Sequence, residues 1–195
     1  MSTSGTVTNA IPATWPEEVM EKRGEFRNIP LTDFTKEENV RAMKDVLEKV
    51  RSEFGKTYPL ILGGKEVMTE AKLPAYNPAR PSELIGMFAK AGREEAEMAI
   101  EAAVETFETW KWTDPWERAE LAWKGADLMT ERRLELAAWM VFETSKSWVE
   151  ADADVAEAID FLDFYGREMV RYAAPQPLTP VPGEDNELRY IPLGP

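Results

Sequence analysis

Asp154, Glu157, Phe161 and Phe164 recur at steps of three and four residues in SKSWVEADADVAEAIDFLDFY, residues 145–165. On a helix this spacing sets carboxylates beside aromatic rings along one stripe. A carboxylate in partly apolar surroundings can read a cationic group on a substrate, because its charge is less screened than in bulk water. The same pattern also describes a solvated acidic face, and spacing alone does not separate the two. Lys146, between Ser145 and Ser147, is a second candidate as a serine and lysine pair. It lacks the partner spacing and the glycine-rich oxyanion loop of that chemistry, so an ordinary loop is the better reading.

Composition narrows the chemistry further. Histidine and cysteine are both absent from the 195 residues, which removes the commonest general base, the commonest metal ligand and the thiolate nucleophile. No metal site and no disulfide are expected. The 36 acidic and 23 basic residues leave a net charge of −13, which repels phosphate backbones and anionic membrane surfaces. Neither nucleic acid nor a membrane is an expected partner. There is no run of about eighteen apolar residues, and MSTSGTVTNA lacks the basic end and apolar centre of a signal peptide, so a soluble cytoplasmic protein is expected. The eleven glycines are scattered, and Gly63-Gly64 precedes a strand, so no phosphate-cradling loop is read. The tryptophans, among them Trp110, Trp112, Trp116, Trp123, Trp139 and Trp148, cluster on helical stretches and read as core and interface.

The elements that position the stripe follow from periodicity and punctuation. Residues 1–30, interrupted by Pro12, Pro16, Gly24 and Pro30, read as a tail or a loosely docked arm. Thr35 with Glu38 reads as a hydroxyl cap opening a helix through Val40, Met43, Leu47, Val50 and Phe54, which Gly55 ends. YPLILGGKEV reads as a hairpin, Asn77-Pro78 and Arg80-Pro81 as a turn, and residues 83–89 as another strand. With turns rather than helices between them, these strands are expected to pair as antiparallel ribbons, an appendage to a helical body. In that body Gly92 opens a helix whose face carries Ala96, Ala99, Ile100, Ala103, Phe107 and Trp110. Asp114-Pro115-Trp116-Glu117 starts another, to about Met129, and Leu134, Ala138, Val141 and Phe142 mark a third that ends near Thr144. The stripe lies on the fourth, about 149–173, with an expected seam of Val149, Val155, Ile159, Leu162, Tyr165, Met169 and Tyr172. Four prolines from Pro175 to Pro182 forbid further helix, and NELRYIPLG alternates like an exposed strand.

YPLILGGKEV, YNPARPSELIGMFAKAG, WVEADADVAEAIDF and PGEDNELRYIPLGP together resemble the amino-terminal part of the aldehyde dehydrogenase superfamily. The resemblance runs from about Pro30 to Pro195. ADADVAEAIDF and PGEDN place it in the branch that oxidises glutamate γ-semialdehyde, and LTDFTKEENVRAM is typical of monofunctional members. The implied fold is α/β, of which this chain is the mainly helical amino-terminal portion with antiparallel β-hairpins and a trailing β-flap strand. Residues 31–175 would be the first part of the dinucleotide-binding domain and residues 176–195 the start of an oligomerisation flap.

The implied activity is NAD-dependent oxidation of glutamate γ-semialdehyde to glutamate in proline breakdown, by a homo-oligomer. In the family the oxyanion asparagine, cofactor-binding glycines, glutamate base and cysteine nucleophile follow the LGP turn, and none is present here. The resemblance therefore implies no catalytic and no cofactor-binding residue in this chain, which alone should be inactive. It does carry over a substrate-binding glutamate, Glu157, near the substrate's amino group, with Phe161 packed beside it. The sequence departs from the family just before this helix. Ser145 precedes Lys146 where glycine is usual, and Ser147 stands where asparagine or proline is common. Two other readings remain: another aldehyde dehydrogenase branch, or a non-catalytic helical interaction module.

Overall fold

The computed structural model describes residues 23–195. Helix α1 (Glu37–Arg51) carries Met43 and Val50 at a spacing of seven, and both are fully buried. Thr35 does not cap it: its backbone N–H and its hydroxyl both donate to Asp33 Oδ1, at 3.0 and 2.6 Å. This aspartate turn competes with the helix for Thr35, so α1 starts two residues later without a side-chain cap. Arg51 ends the helix earlier than the run of apolar residues suggests, and a turn leads through Gly55, at φ 82°, into the first strand.

Five short strands follow. β2 (Leu60–Leu62) and β3 (Lys65–Val67) form the antiparallel hairpin expected around Gly63-Gly64. β4 (Lys72–Asn77) pairs antiparallel with β5 (Arg80–Ala89), with a register irregularity after Ala75. Asn77 closes their turn by accepting from Ala79 N–H at 2.9 Å and donating to Glu83 at 2.6 Å.

Two strand expectations are corrected here. β1 (Lys56–Tyr58) lies parallel to β5, with Thr57 opposite Met87. The hairpin and β4 between them supply a crossover long enough for parallel pairing without a helix. The sheet is also more than an appendage. Ile85 of β5 is 1% exposed and shares one core cluster with Met43, Val50 and Phe142.

α2 (Arg93–Trp110), α3 (Pro115–Glu131), α4 (Arg133–Thr144) and α5 (Trp148–Ala173) agree with the periodicity within a residue or two. Asp114 caps α3 by accepting from Trp116 N–H at 2.7 Å, with Pro115 at the first helical position. α3 and α5 form the most extensive helix pair, and α4 joins α5 to α1.

The buried side of α5 differs from the expected seam. Val155 and Ile159 are buried as expected, but the line continues through Ala151, Asp152, Gly166 and Val170, leaving Val149, Tyr165 and Tyr172 exposed. Small residues win these positions because α3 packs close along α5. α2 buries no residue and leaves Ile100, Val104 and Trp110 open to solvent.

The strand expected in NELRYIPLG is not formed. Residues 187–195 are extended and exposed, joined to the body by Gln176 N–H reaching Leu188 O at 3.5 Å and by the Tyr172 and Tyr190 rings, 4.8 Å apart. A strand exists only as a pairing, and among the described residues no strand pairs with these. Of the expected arm, residues 1–22 lie outside the described residues. The part from Arg23 onward is firmly docked, as the site shows.

Candidate functional site

Helix α5 is held at its start by Ser147. The Ser147 hydroxyl accepts from Glu150 N–H at 3.3 Å, while the Glu150 carboxylate accepts from Ser147 N–H at 3.1 Å. The Ser147 hydroxyl also donates to Glu150 Oε2 at 2.8 Å, and this bond, with the one from Ser147 N–H, holds the Glu150 carboxyl below the usual carboxylate range. The Ser147 departure from the family pattern thus keeps a working cap. Ser145, the other departure, sits at φ 58°, the one non-glycine residue with positive φ among those described. It takes the left-handed conformation that glycine adopts without strain. Lys146 forms an ion pair with Asp154, which explains its place at the junction without any serine chemistry.

One turn into α5, Asp152 is fully buried. It accepts from Arg133 Nε and Nη2 at 2.7 and 2.6 Å, and from the backbone N–H and hydroxyl of Thr32 at 2.7 and 2.8 Å. Burial by itself pushes this carboxyl up, but the Arg133 and Thr32 bonds outweigh it and hold it below the usual range. Further along, Asp160 accepts from Asn28 Nδ2 at 2.8 Å and Ile29 N–H at 3.0 Å. Asp163 accepts from Arg23 Nε at 2.9 Å and pairs with Arg167 at 3.1 Å. Three carboxylates of one helix therefore fasten residues 23–32 along its length.

Between this segment and α5 lies an open groove of about 540 Å³. Glu157 and Phe161 line it, together with Phe26, Ile29, Asp160 and Phe164. Phe26 meets Phe164 edge to face at 5.4 Å, and Phe161 lies 5.9 Å from Tyr165. The structure thus places the two residues expected to bind substrate on one groove. It divides the original stripe, since Asp154 is paired with Lys146 while Glu157 is exposed and has no hydrogen-bond or ion-pair partner among the described residues. Phe161 is 50% exposed, so its ring is available to a molecule entering the groove.

Sequence reading did not assign a role to Asp152, Asp160 or Asp163. Asp152 was legible in principle, because it stands three and seven residues before the buried Val155 and Ile159, a charged residue on an apolar seam.

Among the described residues no cluster of three potential ligands could hold a metal ion. Nor does the turn at Gly92 fit a dinucleotide. The turn from β5 into α2 brings Gly92 to a helix N-terminus, where a pyrophosphate could dock. There Gly92 N–H already donates to the Glu95 carboxylate at 2.7 Å, and Glu94 adds a second negative charge. A dinucleotide would need contacts other than those of this turn. Among the described residues no helix is long and apolar enough to cross a membrane.

The sequence pattern of the aldehyde dehydrogenase family matches residues 66–195. A 1-pyrroline-5-carboxylate dehydrogenase of Geobacillus kaustophilus (strain HTA426) is 48% identical over 169 residues, which cover 87% of this chain and 33% of that protein. The solved structure of 1-pyrroline-5-carboxylate dehydrogenase from Thermus with bound NAD matches with a TM-score of 0.83 at 49% identity, over 87% of this chain and 33% of its own. A Δ-pyrroline-5-carboxylate dehydrogenase structure from Mycobacterium tuberculosis matches with a TM-score of 0.78 at 27% identity, over 87% and 32%. The chain spans about a third of the length of the curated relatives it matches.

Proposed function

The chain belongs to the aldehyde dehydrogenase family, and we propose that it serves as the amino-terminal third of an NAD-dependent dehydrogenase oxidising L-glutamate γ-semialdehyde to glutamate. This is the open-chain form of 1-pyrroline-5-carboxylate, the substrate in the names of the relatives above. The observation that carries the reading is Glu157, a carboxylate without a partner among the described residues, in a groove bordered by aromatic rings. An ammonium group is the ligand such a carboxylate prefers.

Glu157 binds and orients the amino end of the substrate, and Phe161 covers the adjoining carbon chain. NAD, held by residues other than those described, would supply the hydride acceptor. The nucleophile also comes from elsewhere, because these 195 residues contain no cysteine. In this reading residues 31–175 belong to the dinucleotide-binding domain, residues 176–195 open a flap that pairs between subunits of a homo-oligomer, and the enzyme works in the cytoplasm. The expected ligands exclude nucleic acid and membranes.

The test is NADH formation by the complete enzyme with glutamate γ-semialdehyde and with aliphatic aldehydes of similar length lacking the amino group. A higher kcat/KM for the amino-bearing substrate is expected. Equal or better use of the plain aldehydes overturns the substrate assignment and favours another branch of the family.

A further inference from the structure

We infer that Asp160 is a specificity-determining positioning residue, which fixes Asn28 and Ile29 as one wall of the groove that holds Glu157. The inference rests on the proposed role of that groove. Residues 23–32 have independent anchors at both ends. Arg167 donates to Gly24 O at 2.7 Å, and Arg133 donates to Pro30 O at 2.9 Å while Asp152 holds Thr32. The middle of the segment is tied by a different group. Asp160 accepts there through both oxygens, from Asn28 Nδ2 at 2.8 Å and from Ile29 N–H at 3.0 Å.

Asp160 lies one helical turn from Glu157, on the same groove, so the wall and the unpaired carboxylate are set by one rigid element. Its two donors are neutral, so they bring no cation into the groove beside Glu157. Among the described residues no lysine or arginine lines the groove. The groove therefore offers two carboxylates and an apolar floor to one kind of guest, a compact cation on a short carbon chain. The substrate's own carboxylate finds no counter-charge here and must be received outside this groove. Loss of Asp160 frees the wall and removes the second charge, while the anchors at Gly24 and Thr32 keep the segment on the helix.

The experiment is steady-state kinetics on the complete enzyme with glutamate γ-semialdehyde and with propanal, for D160A, D160N, N28A and D160A/N28A. D160A should raise KM for the semialdehyde about tenfold with kcat nearly unchanged, and leave propanal unaffected. D160N should recover part of the loss, because its amide oxygen still accepts from Ile29 N–H. N28A should have little effect in the D160A background, since both remove one shared bond. Equal losses with both aldehydes, or an unchanged semialdehyde KM in D160A, overturn the inference. E157Q separates the two levels. If E157Q loses discrimination and D160A keeps it, the wall alone fails. If D160A loses discrimination and E157Q keeps it, the role given to Glu157 fails and the wall stands.

Discussion

Trp123 lies with its indole directly against the backbone of Gly166. A Cβ at position 166 would stand 2.4 Å from Trp123 Nε1 and 2.8 Å from Cδ1. The indole is 3% exposed, and its N–H donates to Asp163 O at 3.1 Å, so it has no free direction in which to yield. The close approach of α3 to α5 depends on this glycine.

Gly166→Ala therefore sets two effects against each other. Alanine in a helix interior gains about 1 kcal/mol over glycine, whereas forcing a methyl into a rigid contact costs about 1–3 kcal/mol or more. With a ring rather than a flexible chain end as the neighbour, the clash wins, and urea unfolding should shift to lower denaturant. Repeating the change with Trp123→Leu, where the ring is gone, should turn it stabilising. A penalty that persists there would show that the indole is not its cause.

Asp152→Asn tests the buried clamp. Removing one partner of a buried pair strands the Arg133 guanidinium, at a cost of about 3–5 kcal/mol. The pH dependence has a definite sign. Because the folded-state pKa of Asp152 is lowered, its contribution is complete above the unfolded value near 4 and is lost as pH falls through the lower folded value. The parent chain should lose stability steeply below about pH 4, and the variant should lack that part of the slope. Parallel acid limbs for the two proteins would contradict this account.

Ser145→Gly should stabilise. A side chain in the left-handed conformation carries about 1–2 kcal/mol of strain, and the added freedom of glycine in the unfolded chain returns about 0.4–1 kcal/mol of that. A net gain of about 0.5–1 kcal/mol in unfolding free energy is expected from an exposed position. No gain would mean that the serine side chain compensates for its own backbone.

The local features of this fold could be read directly from the residues. Asp114-Pro115 marks the start of α3 because caps act over three residues, whereas Thr35, the same kind of signal, is taken by the Asp33 turn, and Ser147 with Glu150 carries the cap of α5 that periodicity did not show. What escaped reading depends on distance along the chain. β1 finds its parallel partner only after a hairpin and β4 have intervened. Asp152 and Asp160 take their partners 120 and 131 residues away, in a segment whose composition reads as a loose arm. Glu157 and Phe161 fall on one groove because a helix spaces them one turn apart, but the opposite wall, from Phe26 to Leu31, had no signal in the stripe itself. The alternation in NELRYIPLG shows what a segment can pair with, and pairing requires a neighbouring strand.

The 195-residue chain by itself should give no aldehyde-dependent NADH, at any aldehyde or NAD concentration. It contains no cysteine, and its strand-to-helix turn at Gly92 is filled by Glu95. It should also self-associate, because α2 leaves Ile100, Val104 and Trp110 open. Measurable turnover would contradict the first point, and a concentration-independent monomer in sedimentation the second.

Glu157→Ala in the complete enzyme addresses the groove directly. A hydrogen bond between charged groups contributes about 1.5–3 kcal/mol in general, equivalent to roughly ten- to a hundredfold in kcat/KM. Glu157 is exposed in this chain, so water screens it, and the lower end is expected: about a tenfold loss with glutamate γ-semialdehyde. Aldehydes without an amino group have nothing to lose and should be oxidised as before. A displaced α5 would lower both activities together, which makes the ratio of the two the decisive quantity. Glu157→Asp provides the geometric control, since it keeps the charge but withdraws it by one methylene, and it should fall between the parent and the alanine variant. If alanine and aspartate leave the ratio at the parent's value, Glu157 belongs to a solvated acidic face and the ammonium is read elsewhere.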